Sequence, residues 1–151
     1  MSLDSAIQPG LAGLQIIRAD WAQYRAQLAQ VRTAVFVDEQ GVPPEIEMDD
    51  QDVSCHHLLA QLDGEPIGTA RLLADGRIGR LAVVRHHRAT GVGRQLLQAC
   101  IGLAESLGLQ ELYLHAQVQT LDFYRRAGFV DQGETFMEAG IRHQNMQISL
   151  T

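Results

Sequence analysis

Ile78-Gly79-Arg80-Leu81-Ala82-Val83-Val84, followed within a few residues by Arg88-Ala89-Thr90-Gly91-Val92-Gly93-Arg94, decides the reading of this chain. The first stretch is an apolar run of strand length. After the second, Val92, Leu96, Leu97, Cys100, Leu103, Ala104 and Leu107 recur at helical spacing. Gly91 and Gly93 therefore stand where a strand turns into a helix. Glycine allows close approach of a ligand to the backbone and reaches φ angles other residues avoid. The first N–H groups of a helix lack intrahelical partners, and the helix dipole favours an anion there. Arg85, Arg88 and Arg94 add positive charge around the same turn. The pattern describes a cradle for a phosphate or pyrophosphate, or a plain tight turn.

Two familiar phosphate loops do not fit. No Lys-Ser or Lys-Thr follows the glycines, so this is not a Walker loop. The dinucleotide fingerprint needs three glycines, the first directly after the strand, and that spacing is absent.

Outward from this turn the chain alternates strands and helices. Leu14–Arg18 reads as a first strand. Asp20 reads as an N-cap, before a helical stripe of Trp21, Tyr24, Leu28, Val31 and Val35. Pro43-Pro44 breaks that pattern. A strand over about 57–62, a turn at Asp63-Gly64 and a strand over about 66–73 form a hairpin signal, and Asp75-Gly76 turns into the 78–84 strand. The helix after the glycines ends near Gly108. A strand over 112–116, a short helix to about Ala127 and two strands, about 129–137 and 142–150, complete the chain. The expected class is α/β, with helices flanking a mixed central sheet. The strands before and after the glycine-primed helix should be parallel.

With 151 residues, 46% of them hydrophobic, the chain suits one well-buried domain, placed over residues 14–151. Residues 1–13 are weakly patterned and read as a flexible arm. No apolar run reaches the roughly 20 residues of a membrane helix, so no membrane partner is expected. The first residues lack a basic segment followed by an apolar core, so no secretory signal is expected. The formal charge of −6 argues against a nucleic-acid partner. All basic residues are arginines, and the absence of lysine excludes a lysine Schiff base. Cys55 and Cys100 form no disulfide framework and fit a reducing cytoplasm. Cys100 belongs to a helical core stripe, whereas Cys55 beside His56 and His57 could be read as a thiol nucleophile. The histidines lack standard zinc spacing, so no metal is expected. The apolar C-terminal strands leave a homodimer open.

Arg88-x-x-Gly91-x-Gly93, after Leu81-Ala82-Val83 and before an amphipathic helix, resembles the acetyl-coenzyme A motif of the GNAT superfamily of N-acetyltransferases. Leu121-Asp122-Phe123-Tyr124-Arg125-Arg126-Ala127-Gly128-Phe129 resembles that family's later segment, at a fitting separation. Val35-Phe36-Val37-Asp38-Glu39-Gln40, the acidic run to Asp52, His57, and Glu138-Ala139-Gly140-Ile141-Arg142-His143 resemble the ElaA-like branch. The resemblance implies a GNAT-like sheet in which the two parallel strands splay apart and the cofactor lies in the gap. It implies that acetyl-CoA is the co-substrate. Leu81, Ala82 and Val83 would contact the pantetheine arm. Arg88, Ala89, Thr90, Gly91, Val92, Gly93 and Arg94 would hold the pyrophosphate. Tyr124 would face the thiol as general acid.

Acetyl transfer to an amine needs a proton acceptor, a stabilised oxyanion and a protonated leaving thiolate. The proton acceptor stays open between Glu39, His115, His57, His143 and a water chain. Glu39, His57 and His143 are also candidate acceptor contacts. His86 and His87 suit surface exposure or a phosphate contact. Seven acids, Asp38, Glu39, Glu45, Glu47, Asp49, Asp50 and Asp52, lie in one segment without a base. They read either as a solvated loop or as a negative rim that attracts a cationic acceptor. The acceptor amine itself is left open between a polyamine-like molecule, an amino acid derivative and a protein terminus. The implied activity is acetyl transfer by direct attack, and the rival is a non-catalytic coenzyme A sensor or interaction module on the same fold.

Overall fold

A computed structural model describes residues 11–151. The arm expected over 1–13 lies mostly outside the described residues. Leu11, the first of them, is buried in the core. The strands are β1 (Leu14–Ala19), β2 (His56–Leu62), β3 (Glu65–Leu72), β4 (Arg77–Val83), β5 (Glu111–Gln117), β6 (Val130–Glu138) and β7 (Ile141–Ser149). The helices are α1 (Trp21–Arg32), α2 (Pro44–Glu47), α3 (Val92–Ser106) and α4 (Leu121–Arg126). The strands form one sheet in the order β1-β2-β3-β4-β5-β7-β6. Only β4 and β5 are parallel, and α3 connects them.

Local chemistry explains the boundaries. The Asp20 carboxylate accepts from Gln23 N at 3.1 Å and caps α1. Asp63 (φ 51°) and Gly64 (φ 84°) both take positive φ, as a two-residue hairpin turn of the primed kind requires. The stripe expected to run to Val35 as one α-helix instead changes winding. After Arg32 the chain continues as a π-helical segment, Thr33–Glu39. That wider winding keeps Val35 buried while Glu39 turns toward the glycine turn.

Alternation along β2 fixes the two layers. Leu58 and Ala60 pack with Leu96, Leu97 and Cys100 of α3. Leu59, between them, packs with Ala19 and Leu28 on the α1 side. The two helices thus cover opposite faces of the sheet. Leu107, expected on the buried stripe of α3, is 42% exposed because the helix is already ending there.

β4 and β5 part early. They pair only at Arg77↔Tyr113 and Ile78↔Leu114. Beyond that point β4 stays with β3 and β5 stays with β7. Arg80 adopts φ 49°, opposite a register shift between Thr69 and Arg71, and its carbonyl accepts from Thr69 Oγ1 at 2.9 Å. This bulge bends β4 away from its neighbour. The gap it opens is where the functional residues gather.

Candidate active site

The gap between β4 and β5 is a cleft of about 600 Å³. Leu81, Ala82, Val83, Arg88 and Tyr124 line one end of it. The other end is lined by Arg77, Arg80, His115, Glu138, Ile141 and His143. Glu39 and Gln40 reach it from the π-helical segment.

The glycine turn begins beside the first end. Gly91 is the N-cap of α3 with φ 97°, a conformation that favours glycine. The α3 ladder begins with Gln95 N donating to Gly91 O at 3.1 Å. The N–H groups of Val92, Gly93 and Arg94 precede it and have no partner within the helix. Ala89 also takes positive φ, at 60°, so two residues of the turn are in the left-handed region. Ala89–Arg94 do not line the cleft itself. The Val92 side chain is core, Arg94 is exposed, and the Thr90 hydroxyl donates to His87 O. A Cβ on Gly93 would lie 3.5 Å from Phe123 Cζ and 3.7 Å from Val83 Cγ2. The space that Gly93 leaves open therefore faces α4 and β4.

Tyr124 lies on α4, with its ring edge-to-face against Phe123 (5.0 Å) and Phe129 (6.0 Å). Its hydroxyl has no hydrogen-bond partner among the described residues. Burial pushes its phenol well above the ordinary tyrosine range. The group is therefore protonated at neutral pH and free to donate.

Glu39 is placed against the turn. Arg88 donates to it through both terminal nitrogens, Nη2 to Oε1 at 2.6 Å, and Arg88 Nε donates to Val83 O at 2.8 Å. The hydrogen bond from Arg88 is the main reason that the Glu39 carboxyl sits below the ordinary range. A carboxylate held this way is a poor proton acceptor. The structure thus places Glu39, one of the candidate bases, in the cleft wall as the partner of Arg88.

His115 and His143 meet at the other end. His115 Nδ1 is 3.0 Å from Glu138 Oε1 and 3.1 Å from Arg77 Nη2. His143 donates from Nδ1 to Ile141 O at 2.7 Å, and its Nε2 is 3.8 Å from Glu138 Oε2. Phe136 separates the two imidazoles, edge-on to His115 and stacked on His143. Glu138 was not among the expected site residues. A signal for it exists: Ala139 and Gly140 form a two-residue turn with both φ positive, which places Glu138 opposite Ile141 and Phe136 opposite His143.

His57 is elsewhere. It is buried, stacks on Trp21 at 4.9 Å, and its Nε2 bonds Asp52 O at 2.8 Å. It does not line the cleft. The structure does not bring His57 together with Glu39 and His143, the other candidate acceptor contacts. Burial lowers its pKa and keeps it neutral. Cys55 also lies outside the cleft, and burial pushes its thiol up to about 11, against the nucleophile reading.

The acidic segment divides: Asp38, Glu45 and Asp50 are exposed, while Glu47, Asp49 and Asp52 are held by arginines. Arg32 Nη2 donates to Glu47 Oε2 at 2.8 Å, and Arg32 Nη1 donates to Asp52 Oδ1 at 2.9 Å. Arg71 Nη1 donates to Asp49 at 2.8 Å and to Asp52 at 3.0 Å. Arg80 Nη2 donates to Asp49 at 3.2 Å and to Glu47 O at 2.8 Å. Three arginines from α1, β3 and β4 thus neutralise three of the seven acids. Both Arg32 and Glu47 are almost fully buried. Burial alone would raise the Asp52 pKa, but hydrogen bonds from Arg32 and Arg71 outweigh it and hold the group low. Asp52, Cys55 and His57 bring donor atoms within 4.8 Å of one another. That trio does not suit a cation, because the Asp52 carboxylate already carries two guanidinium groups.

A parallel strand pair splayed by a bulge, a glycine turn feeding a helix, and a tyrosine in the cleft wall define an acyl-transfer fold. Residues 22–150 match a family model described as acetyltransferase (GNAT) domain. The uncharacterized N-acetyltransferase YjcF of Bacillus subtilis is 35% identical over 120 residues, which cover 77% of this chain and 86% of that protein. An acyl-CoA N-acyltransferase from Pseudomonas aeruginosa is 35% identical in structural comparison, with TM-score 0.79 over 89% of this chain and 98% of that one. Escherichia coli ElaA gives TM-score 0.79 at 29% identity, over 89% of this chain and 97% of its own. The chain belongs to the GNAT superfamily of acetyltransferases, and ElaA among its neighbours agrees with the branch resemblance.

Proposed function

We propose that the protein moves an acetyl group from acetyl-CoA to a primary amine by direct attack. The cofactor's pyrophosphate is held by the Arg88–Arg94 turn and its pantetheine arm runs along Leu81–Val83. The acceptor amine enters from the end of the cleft lined by His115 and His143. His115 takes a proton from the incoming ammonium. The amine lone pair then forms the new C–N bond at the thioester carbon, and the nitrogen, now cationic, releases its second proton to solvent. As the tetrahedral intermediate collapses, the C–S bond breaks and its electron pair leaves on sulfur. Tyr124 gives its hydroxyl proton to that thiolate and regains one from solvent.

The observation that carries this reading is Tyr124: it lines the same cleft as His115 and His143, and its hydroxyl has no partner among the described residues. Acetyl-CoA, as opposed to a longer acyl-CoA, belongs to the same proposal. Among the described residues no helix is long and apolar enough to cross a membrane. Two free cysteines suit a reducing cytoplasm. The test is thiol release from acetyl-CoA against a panel of amines, with product mass confirming N-acetylation. Release with no amine in the panel, or cofactor binding without turnover, refutes the reading; binding alone would match a sensor.

A further inference from the structure

Glu138 presents one oxygen to each of two histidines. Oε1 is 3.0 Å from His115 Nδ1 and Oε2 is 3.8 Å from His143 Nε2. Arg77 approaches the same pair, with Nη2 at 3.1 Å from His115 Nδ1 and 3.6 Å from Glu138 Oε1. These contacts cannot all be hydrogen bonds at once. A guanidinium only donates and a carboxylate only accepts. With a proton on Nδ1, His115 donates to Glu138, Arg77 pairs with the carboxylate, and Nε2 keeps its lone pair. With Nδ1 bare, His115 accepts from Arg77, Glu138 loses its histidine donor, and the proton sits on Nε2. Only the first arrangement leaves a neutral imidazole able to take a proton from a substrate.

The other groups packed on His115 do not compete for Nδ1. Tyr113 is tilted against it at 6.3 Å, but its hydroxyl donates to Asp75. Phe136 meets it edge-on at 5.1 Å. His143 has its own Nδ1 committed to Ile141 O. His115 Nε2 has no partner among the described residues, and the residue lines the cleft.

We infer that Glu138 is a positioning residue: by accepting the Nδ1 proton it fixes His115 in the tautomer whose Nε2 faces the acceptor amine as proton acceptor. The inference rests on the amine acetylation proposed above. Glu138 is on β6 and His115 on β5, with β7 between them, so the Ala139-Gly140 turn that sets the β6–β7 register also sets this pair.

The tautomer is read directly by ¹⁵N NMR of the imidazole, with or without turnover. The parent should show neutral His115 protonated at Nδ1. Glu138→Met keeps side-chain length without an oxygen acceptor, and should switch His115 to the Nε2–H form because Arg77 then claims Nδ1. Its kcat should fall about 10²-fold or more, with the Kd for acetyl-CoA unchanged. Glu138→Gln retains a neutral acceptor and should hold the parent tautomer and recover much of the rate. Added to His115→Ala, Glu138→Met should cause no further loss. A parent protein already in the Nε2–H form, or a Glu138→Met variant that keeps the Nδ1–H form, overturns the assignment. The expected tautomer switch in a parent that acetylates no amine would support Glu138 and overturn the acetyltransferase reading instead.

Discussion

Replacing Asp52 by Asn tests whether the acidic segment is a strut or a lure for substrate. In the structure the Asp52 carboxylate accepts from Arg32 Nη1 (2.9 Å), Arg32 Nη2 (3.2 Å) and Arg71 Nη1 (3.0 Å), and its side chain is 3% exposed. Asn keeps the volume but removes the charge, leaving two buried guanidinium groups to share Glu47 and Asp49. Breaking a buried ion pair from one side costs about 3–5 kcal/mol. Here each arginine keeps one acid, so the low end, about 3 kcal/mol, is expected. For a chain of this size that lowers Tm by roughly 6–12 °C. Asp50→Asn is the control, since Asp50 is exposed and should leave Tm unchanged. The pH dependence follows in sign. Asp49 and Asp52 have folded pKa values below their unfolded ones. Their contribution is full above the ordinary carboxylate range and is lost as pH falls through the folded values. Asp52→Asn should therefore flatten the acid limb of stability against pH. Thermal unfolding followed by circular dichroism at several pH values measures both effects. A variant as stable as the parent at pH 7, with the same acid limb, would refute the strut. Raised acceptor KM without lost stability would restore the lure.

Three further outcomes follow from the cleft. Tyr124→Phe keeps the aromatic packing, so acetyl-CoA Kd should hold while kcat falls by about 10²-fold or more; full kcat would make Tyr124 structural. Gly91→Val forces a β-branched residue into φ 97° at the α3 N-cap, and should weaken acetyl-CoA binding by calorimetry while far-UV circular dichroism is retained; unchanged affinity would remove the pyrophosphate from this turn. Glu39→Gln frees Arg88 from an anionic partner that a pyrophosphate has to displace, so acetyl-CoA should bind about two- to fivefold more tightly, and less so in high salt; weaker binding would mean that Glu39 orients Arg88 for the phosphate.

Much of the frame was legible because its signals are local. Asp63-Gly64 and Asp75-Gly76 name their turns, Asp20 names its cap, and Gly91 and Gly93 mark the strand-to-helix junction. The splay was expected from the family resemblance and not from periodicity, because it depends on Arg80 in the left-handed region, where the sequence offers no glycine or asparagine to flag it. The π-helical winding after Arg32 likewise leaves an apolar stripe that reads as ordinary α-helix. The acidic segment misled for a physical reason. Asp49 finds its neutralising arginine 22 positions away, and Arg32 lies 15 positions before Glu47. A window along the chain sees charge of one sign, while the folded neighbourhood is balanced.

That balance reaches the cleft walls and bears on how the site works. At the end proposed for the cofactor Glu39 occupies the guanidinium of Arg88, and at the end proposed for the acceptor Glu138 is shared between Arg77 and two histidines. A site whose charges are already paired gains little from long-range attraction of a cationic amine. Discrimination must then come from short-range exchange of partners, in which an arriving group replaces one that the protein already supplies. On the proposed reading, a pyrophosphate would do so by taking Arg88 from Glu39. On the same reading, an ammonium would meet no unpaired acid at its proposed end of the cleft, only the lone pair that Glu138 is proposed to fix on His115 Nε2. Selection at that end is therefore predicted, on that proposal, to favour acceptors that can surrender a proton in place over acceptors that carry the most positive charge.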